Sequence, residues 1–339
     1  MTLLSPDELA TAQTLALRLE EGLNQRLLGQ RSLVRMLVTA CLARGHVLLE
    51  GLPGLGKTEL VKGLAGLLGL SFRRIQFTPD LLPSDITGAP VLEESGGSRK
   101  LVFRPGPIFG NLVLADEINR ASPRTQAAML EAMQEQRVTV LGESHPLPDP
   151  FWTLATQNPV DMEGTYPLPE AQMDRFLFKL HVPMVGAGVL KEIISSRRRG
   201  RPPEPSACLD GSERERLFSA VDAVFLPDAV ADYIARLVGS SHPGSEHAPE
   251  GVRSFVRYGA SPRAAIAVSE AVRAHALLAG KPSAGFDDVE AVAPSALGHR
   301  VALDYRAALE GRTRADIVQE LLQVVPKLSE DVPGMLRNG

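Results

Sequence analysis

The chain has 339 residues, of which 44% are hydrophobic and 22% charged, and its formal net charge at pH 7 is -4. This length favours two domains, and the slightly acidic charge excludes a global positive field that would attract nucleic acid or an anionic membrane surface. The two cysteines, Cys41 and Cys208, have no metal-binding or redox spacing, and the N-terminus lacks the pattern of a signal peptide. Since no run of about 18 apolar residues occurs either, we expect a cytoplasmic protein without membrane insertion.

The first half of the chain has the pattern of an α/β domain. Residues 5–44 are predicted to form helices, because Ser5 is a suitable N-cap before Pro6 and two acids, and apolar residues then recur at helical spacing. Short apolar runs of strand length follow, several of them separated by helical stretches. These runs are "HVLLE" (46–50), "FRRIQF" (72–77), "LVLAD" (112–116), "FWTLAT" (151–156) and "FLFKLHV" (176–182). Apolar strands that alternate with helices predict a parallel sheet flanked by helices.

Two hairpins are predicted between these strands, one around the Gly-Gly turn of "APVLEESGGSRKLVFRPGP" and one around Leu141 and Gly142. The α/β domain is assigned to residues 1–185. Residues 186–225 have the composition of a linker and include "SSRRRGRPPEPSA"; its four arginines could bind a polyanion, although a solvated connector explains such a run more often. Residues 226–330 have helical patterns without clear strands and predict a smaller all-α domain.

A phosphate-binding loop is predicted where "GLPGLGKTEL" (51–60) matches G-x-x-x-x-G-K-[ST]. Glycines let backbone N–H groups converge on phosphate oxygens, the lysine reaches the β- and γ-phosphates, and the threonine hydroxyl binds magnesium. The alternative is a glycine-rich turn with a surface lysine. Phosphate binding requires a position between an apolar strand and a helix, which this segment has, and the alternative does not require it. We therefore predict an ATP and Mg2+ site whose nucleotide-binding residues include Gly51, Pro53, Gly54, Leu55, Gly56, Lys57, Thr58 and Glu59.

Polar residues at the ends of two further strands complete the predicted site. Asp116 would bind magnesium together with Thr58, and Glu117 would orient and polarise the attacking water. Asn158 follows the strand "FWTLAT" and is placed to bond the γ-phosphate or that water, although Asn-Pro is also an ordinary turn starter. Because the carboxyl ends of parallel strands face the ligand crevice, these residues predict a hydrolase and not only a binding protein.

The sequence resembles the MoxR family of AAA+ ATPases in several long blocks. They include "GHVLLEGLPGLGKTEL", "RIQFTPDLLPSDITG", "LADEINRASPRTQAAMLEAMQEQRVTV" and "ATQNPVDMEGTYPLPEAQMDRFLFK", and they cover most of residues 29–182. The resemblance implies a AAA+ P-loop core, a helical lid and assembly into a ring, most often a hexamer. It also implies that Thr78–Gly110 is the insert in helix 2 and that Gln136–Pro148 is the hairpin before the first sensor, both near a central pore.

The resemblance assigns further roles to single residues. Asn158 becomes the first sensor, and Arg175 in "MDRF" becomes the arginine finger that reaches the γ-phosphate of the next subunit. The alternative is that Arg175 only pairs with Asp174 or Glu170. Arg263 in "SPRA" resembles the second sensor, which acts within or between subunits. Arg120 and Arg124 are also candidates for the subunit interface.

Three classes of function remain compatible with these motifs. The first is an ATP-driven, chaperone-like remodeller of client protein complexes. The resemblance implies that a von Willebrand factor A domain protein is its partner. A magnesium-chelatase-like motor subunit is an alternative closely related to this first class. The second is a nucleotide-gated scaffold with little turnover, which the intact Glu117 and Arg175 argue against. The third is a nucleic-acid motor, disfavoured because the hairpin "QRVTVLGESHPL" offers only Arg137 and the chain is slightly acidic.

Overall fold

The computed structural model describes residues 4–95, 98–159, 165–197 and 208–328. The chain forms two compact units. The core unit consists of Leu17–Phe176 and Leu180–Arg214, and the helical unit of Met1–Ala16, Leu177–Lys179 and Glu215–Gly339.

The main sheet has five strands, which are β1 (Val47–Glu50), β2 (Phe72–Gln76), β5 (Leu112–Asp116), β8 (Trp152–Gln157) and β9 (Phe178–His181). Their order across the sheet is β2-β5-β8-β1-β9. The pairs β2–β5, β5–β8 and β1–β8 are parallel, as the alternation of strands and helices predicts.

Helices occupy most of the remaining chain, and a single 3-10 turn, Ile118–Arg120, follows β5. In the first half they are α1 (Pro6–Arg26), α2 (Arg31–Leu42), α3 (Lys57–Leu67), α4 (Pro83–Thr87), α5 (Pro123–Glu135), α6 (Glu170–Met173) and α7 (Ala187–Ser196). In the second half they are α8 (Gly211–Ala223), α9 (Asp228–Ser240), α10 (Glu250–Phe255), α11 (Pro262–Leu278), α12 (Phe286–Leu297), α13 (Tyr305–Leu309) and α14 (Arg314–Val324). Among the helices described, none combines the length and apolar character that a membrane span requires.

The centre of the sheet is buried on both faces. All five residues of β5 and the first five of β8 are buried, and on one face Leu48, Val113 and Ala155 join a cluster with Met129 and Met133 of α5. Burial of each large apolar side chain stabilises the fold by about 1.5–3 kcal/mol. This core fixes the strand ends from which the candidate site is built.

Two antiparallel hairpins extend from the core unit. The first pairs β3 (Gly88–Ser95) with β4 (Ser98–Pro105), and its Leu92 and Leu101 lie opposite each other and are exposed. The second pairs β6 (Arg137–Val140) with β7 (Glu143–Pro146), and Leu141 and Gly142 at its turn both have positive φ. Two consecutive residues with positive φ match the twist of the flanking strands, which explains why the chain reverses here.

The helical unit is built mainly from α9 to α14, with α11 packed against α9 and α12. The rings of Tyr233 and Phe286 meet edge to face, with centroids 5.6 Å apart. A short antiparallel pair, β10 (Val256–Tyr258) and β11 (Ala302–Leu303), corrects the expectation of no strands in this region. Strands of two or three residues are too short to produce an alternating pattern in the sequence.

The segment interpreted as a linker contains regular structure. Helices α7 and α8 both lie within residues 186–225, while residues 198–207, with most of the arginine run, lie outside the described residues. None of the residues of α7 is fully buried, and its apolar side chains Leu190 and Ile194 are exposed.

His46 is a largely buried side chain that joins three elements of the core. Its Nδ1 accepts a hydrogen bond from the Thr153 N–H at 3.0 Å, and its Nε2 lies 3.2 Å from the carbonyl oxygen of Met133. The ring is therefore neutral, with the proton on Nε2. Burial lowers the pKa of His46 from 6.5 to about 4.

We expect acid to destabilise the core through His46. Below pH 6.5 the unfolded chain binds a proton that the folded chain does not, so the free energy of unfolding falls as the pH is lowered, by up to about 3 kcal/mol at pH 4. Urea unfolding at several pH values would measure this slope. His46→Gln should reduce it, whereas substitution of the exposed His181 should not; equal slopes for both variants would contradict the assignment.

Candidate nucleotide site

The loop between β1 and α3 has the backbone that phosphate binding requires. Gly54 and Gly56 have φ values of 83° and 81°, in the left-handed region that favours glycine. Helix α3 begins at Lys57 directly after Gly56, and no side chain caps its N-terminus. The first N–H groups of α3 are thus available to an anion, and the helix dipole favours negative charge there.

Lys57 lies across this loop. Its Nζ donates a hydrogen bond to the carbonyl oxygen of Gly51 at 2.6 Å. Burial lowers the pKa of Lys57, and the nearby carboxylates of Asp116 and Glu117 oppose that shift. The lysine and the two acids, which are separate in the sequence, therefore share one electrostatic environment.

Strand register brings the ends of four strands together. Glu50 pairs with Gln157, Ala115 with Ala155, and Gln76 with Asp116, so β1, β2, β5 and β8 end at the same edge of the sheet. Asn158 follows β8 and is buried, with 5% of its surface exposed. In the sheet, β8 lies between β1, which leads to the phosphate loop, and β5, which leads to the two acids. Asn158 follows this middle strand.

Thr156 fixes the two acids at the end of β5. The Thr156 hydroxyl donates to Oδ1 of Asp116 at 2.6 Å, and the hydroxyl oxygen of Thr156 accepts the N–H of Glu117 at 2.8 Å. Glu117 has φ 56° and ψ 50°, a left-handed conformation that is uncommon for residues other than glycine. Such conformations cost free energy and are concentrated at functional sites.

Four polar contacts at this edge were not predicted. Nε and one terminal nitrogen of Arg74 donate to Oδ2 of Asp116, at 3.0 and 2.6 Å, and the same terminal nitrogen donates to Oε1 of Gln76. Nε2 of Gln76 donates to Oε2 of Glu117 at 3.0 Å, and Arg120 forms an ion pair with that oxygen, also at 3.0 Å. Because Arg74 and Gln76 alternate along β2, the sequence places both on one face of the strand. The contacts with Asp116 and Glu117 also require β5 to be the neighbour of β2, and the sequence pattern does not give the order of the strands.

The oxygen ligands present are of the kind that Mg2+ uses. Thr58 supplies a hydroxyl and Asp116 a carboxylate, and the remaining ligands would come from phosphates and water. Within the described part of the chain, no group of three or more His, Cys, Asp or Glu side chains could hold a metal ion. The donors therefore fit magnesium bound together with a nucleotide.

Glu59, predicted to contact the nucleotide, also has a partner within the protein. Its Oε2 lies 3.3 Å from a terminal nitrogen of Arg26, whose side chain is only 4% exposed. This ion pair joins the end of α1 to the first turn of α3.

Arg175 lies just beyond the short helix α6. Pro169 caps this helix instead of occupying its first position, and the helix ends at Met173, before Arg175. The Arg175 N–H donates to the carbonyl oxygen of Gln172 at 3.3 Å, and its Nε is buried without a hydrogen-bond partner in the described residues. The guanidinium therefore has a buried N–H whose hydrogen bond is not satisfied within the described residues.

Arg263 lies in the helical unit. It is the second residue of α11, after Pro262, and it is exposed. Arg124 is likewise exposed, near the start of α5.

Comparison with known proteins gives two family matches and several close relatives. A model described as "ATPase family associated with various cellular activities (AAA)" matches residues 46–178, and one described as "AAA lid domain" matches residues 250–321. Chaperone MoxR1 of Mycobacterium tuberculosis is 40% identical over 299 residues, which cover 88% of this chain and 78% of that protein. The chain belongs to the MoxR family of AAA+ ATPases.

Other relatives agree with this assignment. The uncharacterized protein YeaC of Bacillus subtilis is 43% identical over 309 residues, covering 90% of this chain and 92% of that protein. The crystal structure of a candidate ATPase from Cytophaga hutchinsonii has 34% sequence identity to this chain and a TM-score of 0.86. The match covers 96% of this chain and 98% of the other chain. The predicted MoxR resemblance and the predicted fold class, a AAA+ α/β core followed by a helical lid, are thus confirmed.

Proposed function

We propose that this MoxR-family protein hydrolyses ATP with Mg2+ and uses the energy for chaperone-like remodelling or maturation of partner protein complexes. The observation that carries the proposal is the convergence of the phosphate loop, Lys57, the two acids and Asn158 at one edge of the sheet. The relative named Chaperone MoxR1 supports the chaperone-like part.

Each residue has a distinct role in the proposed reaction. The loop Gly51–Gly56 and the N-terminus of α3 bind the phosphates, and Lys57 neutralises charge on the β- and γ-phosphates. Thr58 and Asp116 hold magnesium, which stabilises negative charge on the phosphates when bound. Glu117 orients and polarises the attacking water, and Asn158 bonds that water or the γ-phosphate.

The working form in this proposal is a homo-oligomeric ring, most simply a hexamer. AAA+ ATPases are generally oligomeric, and Arg175 lies just beyond α6 with its side chain only half-buried, so part of it is accessible to a neighbouring molecule. Arg175 would act as the arginine finger of the neighbouring subunit. Arg263 would contact the nucleotide from the lid, within the same subunit or the next.

The proposed partner is a von Willebrand factor A domain protein that delivers a client complex. Glu117→Gln is expected to trap the ATP-bound ring, because it removes the group that activates water while leaving the phosphate loop intact. An affinity capture from native cell extract with ATP should therefore retain the partner and client on Glu117→Gln. Lys57→Ala, which cannot hold the phosphates, is the matched control and should retain neither.

The same capture tests the alternatives. Recovery of a von Willebrand factor A domain protein that depends on both ATP and Lys57 supports the proposal. Equal recovery on Glu117→Gln and Lys57→Ala would contradict an ATP-driven cycle, and recovery of porphyrin-pathway proteins in place of the expected partner would favour a magnesium-chelatase-like motor.

A further inference from the structure

Gln126 is a fully buried amide in the first turn of α5. None of its surface is exposed, and its Nε2 lies 3.3 Å from the carbonyl oxygen of Ile118, 3.1 Å from that of Ala121 and 3.0 Å from that of Tyr166. The two N–H groups of one amide are therefore shared among three acceptors. Oε1 cannot exchange places with Nε2, because it would then face three other oxygens with no proton between them. The orientation of this amide is thus fixed.

The three carbonyls belong to two segments that are distant in the sequence. Two of them lie in the 3-10 turn after the acids and at its C-cap, whereas the third is that of Tyr166, in the segment that leads to Arg175. The Tyr166 N–H also donates to the carbonyl oxygen of Asn119, in the same turn, at 2.7 Å. Both backbone polar groups of Tyr166 are therefore bound, one to the turn and the other to Gln126.

Apolar packing holds the rest of this segment. Leu168, Met173 and Phe176 are buried in the same cluster as Met129 of α5. Hydrophobic contacts are not directional, so they press the segment against the core but define its exact position less closely than hydrogen bonds do. The strength of a hydrogen bond falls steeply when its distance or angle changes. The bonds at Tyr166 therefore fix where the segment begins.

We propose that Gln126 is a positioning residue for the arginine finger. Its amide fixes the start of the segment 166–175 and thereby sets where the guanidinium of Arg175 meets the γ-phosphate of the next subunit. Because Gln126 is fully buried, it acts through Arg175 and does not contact the nucleotide itself. The inference rests on the proposed function, because it takes Arg175 to act on the neighbouring site.

The first test is Gln126→Met, which keeps the length of the side chain but donates no hydrogen bond. It is expected to lower kcat for ATP hydrolysis about tenfold, because a displacement of about 1 Å from the reacting geometry costs up to about 10² in rate. ATP affinity should stay within about twofold of the wild type, since the phosphate loop is unaltered. Phosphate release at concentrations that permit assembly would measure kcat, and fluorescent ATP binding would measure affinity.

Thr125→Val is the matched control. Thr125 precedes Gln126 in α5, is 1% exposed, and donates from its hydroxyl to the carbonyl oxygen of Leu81 at 2.8 Å. Valine therefore removes a buried side-chain hydrogen bond to a different segment. Both variants should lower the midpoint of urea unfolding, but only Gln126→Met should lower kcat. If Gln126→Met does not fold, Gln126→Asn, which keeps an amide on a shorter side chain, takes its place with kcat expected to fall in the same direction.

Mixed rings then show which site Gln126 serves. In an equal mixture of Gln126→Met with Glu117→Gln, about a quarter of the seams join an intact Glu117 to a correctly placed Arg175. At the same total concentration, hydrolysis should therefore rise about two- to threefold above that of Gln126→Met alone. In an equal mixture with Arg175→Ala, every seam has a displaced or missing guanidinium, and hydrolysis should fall to about half.

The reverse pattern would overturn the proposal. If Gln126 acted on its own subunit through the turn after the acids, mixing with Arg175→Ala would raise hydrolysis and mixing with Glu117→Gln would lower it. Weaker ATP binding by Gln126→Met would also contradict a role through Arg175, because an arginine finger acts on the transition state.

Two results separate failure of this inference from failure of the proposed function. If Glu117→Gln and Arg175→Ala restore each other but Gln126→Met hydrolyses ATP as fast as Thr125→Val, only the inference fails, and Gln126 has a structural role. If the wild type hydrolyses no ATP, the proposed function fails and the inference fails with it.

Discussion

Glu117→Gln is expected to lower kcat for ATP hydrolysis by about 10² or more while leaving ATP affinity within a fewfold of the wild type. The amide cannot accept the proton of the attacking water, but its oxygen can still accept the hydrogen bonds that Gln76 and Arg120 donate to Oε2 of Glu117. The substitution therefore removes the chemistry and preserves the local contacts. The phosphate loop, which we propose to bind the nucleotide, is untouched.

Phosphate release at concentrations that permit assembly would measure kcat, and fluorescent ATP binding would measure affinity. Glu131→Gln is the matched control. Glu131 is exposed on helix α5, and its substitution makes the same change of charge away from the site. A Glu117→Gln protein that hydrolyses ATP as fast as Glu131→Gln would exclude the ATPase and favour a nucleotide-gated scaffold. Loss of ATP binding would instead assign Glu117 a role in holding the nucleotide.

The sheet could be predicted from the sequence because its central strands are nearly continuous apolar runs. β5 is buried along its whole length and β8 along its first five residues, so both stand out against the helices around them. The order β2-β5-β8-β1-β9 could not be obtained from those patterns alone, since each run indicates a buried strand and not its neighbour. The short strands β10 and β11 carry no periodic signal at all.

The site was predictable where a motif carries its own geometry. The glycines and Lys57 occur within eight consecutive residues. A loop whose backbone N–H groups converge on phosphate oxygens needs residues with positive φ, and Gly54 and Gly56 have it. Asp116 and Glu117 became candidates because they follow the apolar run of a predicted buried strand. Their proximity to Lys57 and to Asn158 became an observation only with the strand register.

Arg74 and Gln76 were missed for a physical reason. They alternate with the apolar Ile75 and Phe77, which is the ordinary pattern of a strand with one polar face. Their contacts with Asp116 and Glu117 arise because β2 lies beside β5 with Gln76 opposite Asp116, a long-range pairing that no local pattern encodes. The same limit applies to Arg175, whose proposed role depends on a second copy of the chain.

Arg175→Ala is expected to lower kcat by about 10³ or more, because an arginine that reaches the γ-phosphate stabilises the transition state and not the bound nucleotide. ATP affinity and ring assembly should change little. Arg31→Ala, which removes an exposed arginine at the start of α2, is the matched control and should hydrolyse ATP like the wild type. Steady-state phosphate release, with assembly followed by light scattering, would measure both properties.

Mixing the two inactive proteins, Arg175→Ala and Glu117→Gln, decides whether Arg175 acts on its own site or on the next. If it acts on the next, an Arg175→Ala subunit still has its Glu117, and a neighbouring Glu117→Gln subunit supplies the missing guanidinium. In a randomly mixed ring about a quarter of the seams then have both groups, so hydrolysis should appear only on mixing. If Arg175 acts within its own subunit, every site lacks one of the two groups and the mixture stays inactive, because no arrangement of neighbours can restore a group that must come from the same chain.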